Sequence, residues 1–248
     1  MKKTILFNII LAVFFTSACN KENENSDEED EDACITDESY KPVIDPDNFI
    51  TDFNIAPNPF FPLTPGVTLI YEGVNDEGDA ERVELSFTSD TKLIMGVTCM
   101  IVNDKVFVNG ELVEDTDDWF AQDKTGNVWY FGEDVEDYEN GVLVSTEGSW
   151  EAGSDGAYPG VRMPANPFPG NVYRQEYFPC EAEDMAQDLE LGVSITVSYG
   201  SFTGCLKTTE YTPLEPGVSE TKYYAPGVGY IKIEKDGTTA FIELVDIN

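Results

Sequence analysis

From Leu63 onward, apolar residues recur at every second position in short runs that Gly, Asn and Pro interrupt. Val83, Leu85 and Phe87 alternate with Glu84 and Ser86, the period of a strand with one buried and one wet face. The turn Asn75-Asp76-Glu77-Gly78-Asp79 joins this run to the preceding one, Val67 to Glu72, as an antiparallel meander. The same grammar continues through Leu93-Ile94-Met95, a turn at Gly96, Thr98 to Val102 and Val106 to Val108. Asn109-Gly110 and Asn140-Gly141 lie between apolar runs and predict two-residue hairpin turns.

The middle of the chain is densest in aromatics. Asp117 to Gln122 and Val128 to Asp134 read as two strands joined around Asp123 to Gly126, in a register that sets Phe120 beside Trp129 and Trp119 beside Tyr130. Pro159, Pro164, Pro167 and Pro169 predict an irregular stretch from Ser154 to Gly170, a cover or lid or a segment packed flat on the sheet. Glu181 to Leu191 has the composition of a minor helix, and strands resume with Val193, Ile195 and Val197 and continue to Val245. The expectation is an all-β, single-domain body over residues 56–248; about 190 residues suit one core better than two.

The N terminus follows different rules. Lys2 and Lys3 precede an apolar run, Ile5 to Phe15, too short to span a bilayer, which predicts a secretory signal over residues 1–18. Thr16-Ser17-Ala18-Cys19 resembles a bacterial lipobox, with Thr16 where Leu is usual; the resemblance implies lipidation of Cys19 and a membrane partner through acyl chains, palmitate among them. Residues 19–55 read as an acidic tether that cannot build a core. Its run Asp27 to Asp32 resembles the charged stretch after the lipidated Cys of Bacteroidota surface lipoproteins, which implies the outer membrane or cell surface. Phe49, Ile50, Phe53 and Ile55 suggest that its end packs on the body.

Composition removes several functions. The chain has no His, so Ser-His-Asp hydrolases, papain-like proteases and His-ligated metal or haem sites are excluded. A net charge of −34 repels nucleic acid and anionic lipid headgroups, while cationic ligands and basic partners stay compatible. Cys34, Cys99, Cys180 and Cys205 are even in number and allow three disulfide pairings; Cys99 and Cys205 sit on apolar runs that also suit buried free thiols.

Trp129-Tyr130-Phe131-Gly132-Glu133, Gly148-Ser149-Trp150-Glu151-Ala152-Gly153, Tyr173-Arg174-Gln175-Glu176-Tyr177 and Tyr223-Tyr224-Ala225-Pro226-Gly227-Val228-Gly229 together resemble a family of secreted bacterial proteins without an assigned activity. The last motif is also similar to periplasmic lipoprotein carriers. That resemblance implies a curved antiparallel sheet or open β-barrel, and no catalytic residue.

Three constellations carry candidate chemistry. Asp115, Asp117 and Asp118 fall opposite Glu133 and Asp134, and facing carboxylates call for a cation or water between them; a Ca²⁺ site is one reading and a splayed, hydrated strand end the other. Trp119, Trp129, Trp150, Tyr173 and Tyr177 lie on neighbouring strands, as core or as a groove for a small molecule, lipid, glycan or protein ligand. Glu133, Glu151 and Glu176 are candidates for the carboxyl pair of a hydrolase. The sequence favours a non-enzymatic binding or envelope lipoprotein, with the Ca²⁺-dependent module and the carboxylate hydrolase as alternatives.

Overall fold

A computed structural model describes residues 39–55 and 57–248. The alternating segments form β1 (Thr68–Val74), β2 (Ala80–Ile94), β3 (Val97–Val108), β4 (Glu111–Gln122) and β5 (Val128–Glu139). Short strands follow: β6 (Val142–Ser145), β7 (Trp150–Glu151), β8 (Tyr158–Met163), β9 (Val172–Arg174) and β10 (Glu176–Tyr177). The chain ends with β11 (Met185–Val197), β12 (Gly200–Tyr211), β13 (Ser219–Ala225), β14 (Gly229–Lys235) and β15 (Phe241–Ile247). All join one curved antiparallel sheet in the order β10-β8-β5-β4-β3-β2-β1-β15-β14-β13-β12-β11-β9, with β6 and β7 also on β5. The all-β, single-domain expectation holds.

Both Asn-Gly turns form as expected. Asn109 and Gly110 have φ of 53° and 84°, and Asn140 and Gly141 have 53° and 75°, the left-handed pair of a two-residue hairpin. Two local expectations fail. Among the described residues the helical composition of Glu181 to Leu191 gives no helix, because Met185 onward is paired to β12 on one side and β9 on the other. The proline-rich stretch contributes β8, which pairs with β5 and β10. Pro159 is tolerated there because the pairing with β10 is only two residues long, and its carbonyl accepts from the Tyr40 hydroxyl at 2.9 Å.

The sheet stays open, and one segment meets both of its edges. Val172–Arg174 adds to β11, and Glu176–Tyr177 adds to β8, so Gln175 lies at the seam between the two ends. Gly160 makes this approach feasible: a Cβ there would stand 2.2 Å from the Gln175 backbone.

The ordered body extends upstream of residue 56. Phe49 and Phe53 are buried, and Phe49 packs edge-on against Trp129 and Phe131, while Ile55 is exposed. Tyr40 packs edge-on against Tyr177 beside the seam. Asn58 pins the next segment: its backbone N–H donates to Gln122 Oε1, its amide donates to the carbonyls of Gly126 and Pro164, and its Oδ1 accepts from the N–H groups of Phe60 and Phe61. Phe61 thereby enters the concave interior, edge-on to Phe87 and Phe120.

Candidate functional site

The interior of the curved sheet is apolar only in part. Beside the seam it holds a small, half-open recess, with a cavity volume of about 30 Å³. Asp104 on β3, Asp118 on β4, Glu176 on β10, Glu210 on β12 and Asp184 just before β11 supply its carboxyls. Arg162 on β8 and Lys222 on β13 supply its cations, and Phe61, Phe120, Tyr130 and Tyr230 its aromatic walls.

Strand parity explains how acids come to face inward. In β4, Glu114, Thr116, Asp118 and Phe120 are buried at alternate positions, whereas Asp115 and Asp117 between them are only half-buried. In β5 the parity changes. Phe120 pairs with Tyr130 and Asp118 with Glu133, so Phe131 and Gly132 oppose Trp119 alone, as a bulge. Gly132 has φ of 128°, and a Cβ on it would lie 2.2 Å from the Trp150 carbonyl oxygen. The extra residue re-aims Glu133 inward, opposite Asp118, where an unbroken alternation after Tyr130 would have turned it outward.

The charges are satisfied unevenly. Glu210 is held by Lys222 at 2.8 Å, Arg162 at 3.1 Å and the Tyr224 hydroxyl at 2.6 Å. Burial alone would raise its carboxyl; the two cations overcome that and bring it down to about 2. Asp118 accepts from the Tyr130 hydroxyl at 2.5 Å, yet burial outweighs this bond and the nearby Arg162 and raises it to about 7. Glu176 is likewise raised to about 7, first by burial and then by Asp118, against the pull of Arg162. Asp104 and Asp184 stand well above the usual carboxylate range, burial being the largest cause for each.

Both oxygens of Glu176, Oδ1 of Asp104, Oδ1 of Asp184 and the Tyr230 hydroxyl make no hydrogen bond. The Trp150 indole and the Asp184 backbone N–H lie near enough to Glu176 to favour its charged form, but the geometrically sound bond of that indole goes to Glu133 Oε1 at 3.2 Å. Glu176 is 1% exposed and Asp104 4%. Ionised groups in such places are costly unless something pairs with them.

The five carboxylates read as a calcium set divide between two faces. Asp118 and Glu133 point inward, whereas Asp134 is exposed and Asp115 and Asp117 are half-buried. Asn103 donates to Asp115 at 2.6 Å and to Asp117 at 3.0 Å, and Lys105 pairs with Asp115 at 2.9 Å, which relieves the repulsion on that side. Among the described residues no group of three or more Asp, Glu, Cys or His side chains is placed to hold a metal ion.

The five aromatics are not brought together as one groove. Trp119 and Trp150 are each 5% exposed within the core, with the Lys92 ammonium 3.2 Å above the Trp119 ring. Trp129 is half-buried and donates to Asp123, Tyr173 donates to Asp188, and Tyr177 is buried between Tyr40 and Tyr158. The register differs from the expected one because the loop runs from Asp123 to Asn127. Its Asp123 carboxylate accepts from both backbone and side chain of Thr125 and of Asn127, which adds one residue to the assumed turn and pairs Ala121, not Phe120, with Trp129. Of the proposed hydrolase acids, Glu133 and Glu176 are interior neighbours, while Glu151 pairs with Lys92 at 2.8 Å on a partly exposed site.

Sequence reasoning missed Asp104, Asp184, Glu210, Arg162 and Lys222. Their signal was polar residues at the inward positions of an alternation, which only a known register identifies. Cys99 and Cys205 are buried free thiols, and Cys180 is disulfide-bonded to a partner outside the described residues. Cys19 and Cys34 also lie outside them, as do the signal and the acidic run.

No family model matches the chain, and no curated protein matches it significantly. Two solved structures resemble it. One, from Bacteroides fragilis, is described as an exported protein with a YmcC-like fold; it is 13% identical over 77% of this chain and 99% of its own, with a TM-score of 0.47. The other, described as a lipoprotein of Parabacteroides distasonis, is 12% identical over the same shares, with a TM-score of 0.44.

Proposed function

We propose that this chain is a bacterial envelope lipoprotein, anchored at the outer membrane or cell surface through acyl groups on Cys19, whose β body binds a small ligand in the recess at the seam. The anchor rests on the lipobox-like Thr16 to Cys19 and the acidic run behind it. The binding half rests on one observation: Glu176 and Asp104 line a recess that reaches solvent, yet they carry buried oxygens without hydrogen-bond partners. A site built only for stability would leave few such groups, because each costs about 1–3 kcal/mol or more.

Two measurements test the proposal. The intact mass of the membrane-extracted protein should correspond to a chain starting at Cys19 and bearing fatty acids; a start elsewhere, or no acyl mass, ends the anchor half. In a thermal-shift screen of small cationic, neutral and anionic compounds, at least one should stabilise the extracted chain but neither Glu176→Gln nor Asp104→Asn. No stabilising compound in any class would end the binding half.

A further inference from the structure

We infer that the ligand of the recess is a primary organic ammonium, the charged end of a small alkyl amine. This inference rests on the binding function proposed above and deepens it by naming the chemistry of the ligand.

Carboxyls outnumber cations in the recess. Arg162 and Lys222, the two cations that line the recess, both pair with Glu210, at 3.1 and 2.8 Å. Four further carboxyls line it: Asp104, Asp118, Glu176 and Asp184. Only Asp118 among these has a hydroxyl donor, from Tyr130, whereas Asp104 and Asp184 each keep one oxygen without a partner and Glu176 keeps both. The recess therefore presents surplus acceptors, on carboxyls whose charged forms burial disfavours until a cation reaches them. An anion would bring further acceptors where donors are lacking and push these carboxyls higher still, whereas a cation pairs with them as they ionise.

The lining suits an organic cation better than a metal ion. Calcium takes about 6–8 oxygen ligands in one shell. The described residues contain no cluster of three or more carboxylates placed for that. The recess combines its acids with ring faces and edges, Phe120 stacked on Tyr130 at 4.7 Å and Tyr230 stacked on Tyr71 at 4.6 Å. Carboxylate beside aromatic is the composition that recognises an alkylammonium, with charge against oxygen and methylenes and cation against ring.

Donor count favours the same ligand. An ammonium offers three N–H donors and no acceptor. The unpartnered acceptors are the carboxylate oxygens of Glu176, Asp104 and Asp184, with the Tyr230 hydroxyl oxygen beside them. Glu176 alone leaves two acceptors open, so an ammonium seated on it uses its donors there without requiring three carboxylates to converge.

Calorimetric titration of the extracted, acylated chain tests the inference with 1,5-diaminopentane, Nα-acetyl-lysinamide, 1,5-pentanediol, glutarate and calcium chloride as separate probes. Saturable binding of the diamine is expected, weakened roughly tenfold or more in Glu176→Gln, with no heat from the diol or glutarate. Equal binding of Nα-acetyl-lysinamide also supports an ammonium ligand and assigns its source to a peptide side chain; binding of the diamine alone assigns a free amine. Circular dichroism checks that Glu176→Gln folds, and Asp104→Asn, expected to weaken the diamine in the same direction, serves if it does not. Saturable binding of the diol, glutarate or calcium in place of the amines, abolished by the same variants, overturns the ammonium and leaves a binding recess. No binding of any probe also overturns the ammonium, and the broader screen above then decides whether the recess binds anything.

Discussion

Glu81 is 3% exposed and neither of its oxygens finds a hydrogen-bond partner. Burial, with Glu220, Asp76 and Glu77 nearby, pushes its carboxyl up to about 8 in spite of Lys235. Glu114 also rises to about 8, chiefly through burial, and Asp118 and Glu176 to about 7. These shifts run opposite to those of ion-paired surface acids. The folded chain holds protons that the unfolded chain has released above about pH 4.5, so the stability these groups contribute is full below that pH and is lost as pH rises through 7 and 8. Glu210 works the other way: its contribution is present above about pH 4.5 and fades as pH falls toward its folded value of about 2. Thermal melts between about pH 4 and pH 9 should therefore reach their highest midpoint on the acid side, near pH 5, and fall toward pH 8.5. Each raised carboxyl contributes up to about 1.4 kcal/mol per pH unit to that slope. Glu81→Gln should flatten it, and a midpoint that rises steadily from pH 5 to 8.5 would contradict the assignment.

Hairpins with two-residue turns were readable because their chemistry is local. Asn-Gly relieves the steric cost of positive φ at both turn positions, whatever the rest of the chain does. The β8–β10 pairing was not readable, because it depends on Gly160 meeting the backbone of a residue fifteen positions later. Gly160→Ala should cost about 2 kcal/mol or more in urea denaturation, since a methyl group 2.2 Å from the Gln175 backbone forces the seam apart. Because Glu176 follows Gln175 directly and pairs with β8 at Pro159, binding at the recess should weaken with it. Gly200→Ala is the control: a Cβ there meets nothing within 4 Å, and stability should stay within about 0.5 kcal/mol. Similar losses in both variants would remove the steric explanation. The bulge at Phe131-Gly132 escaped prediction for a related reason. A one-residue insertion leaves the composition of β5 unchanged while moving Glu133 to the other face.

The open sheet is tied together by chain that its own strands do not include. Asn58 links the 123–127 loop, the segment after β8 and the entry of Phe61 into the interior, and Gly227 donates to the Pro59 carbonyl at 2.7 Å from the far side. Asn58 is 1% exposed. Asn58→Ala should strand the carbonyls of Gly126 and Pro164 and the N–H groups of Phe60 and Phe61, lowering stability by about 3 kcal/mol. Denaturant unfolding read through Trp fluorescence measures the loss; a change under about 1 kcal/mol would mean that Phe60 and Phe61 hold the segment without it. Tyr40 does the corresponding work at the seam, with its ring beside Tyr177 and the Arg174 guanidinium and its hydroxyl on the Pro159 carbonyl. The acidic tether expected over residues 19–55 therefore has a structural C-terminal end.

The all-β class, both Asn-Gly turns and the exclusion of histidine chemistry followed from residue order and composition, because alternation, turn stereochemistry and the absence of a functional group are properties of short stretches. That Asp115, Asp117 and Asp118 lie across from Glu133 and Asp134 was also visible, since a single hairpin connects them, but the pairing of Asp117 with Asp134 and of Asp118 with Glu133 comes from the longer loop and the bulge. Which of those acids turn inward was not visible, nor that Asp104, Glu176, Asp184 and Glu210 join them. That outcome depends on a bulge, on a glycine that lets two strands touch, and on curvature that brings β10 and β12 to the same interior. Each is a long-range contact whose free energy is shared between distant segments, so no local run of sequence carries its signature.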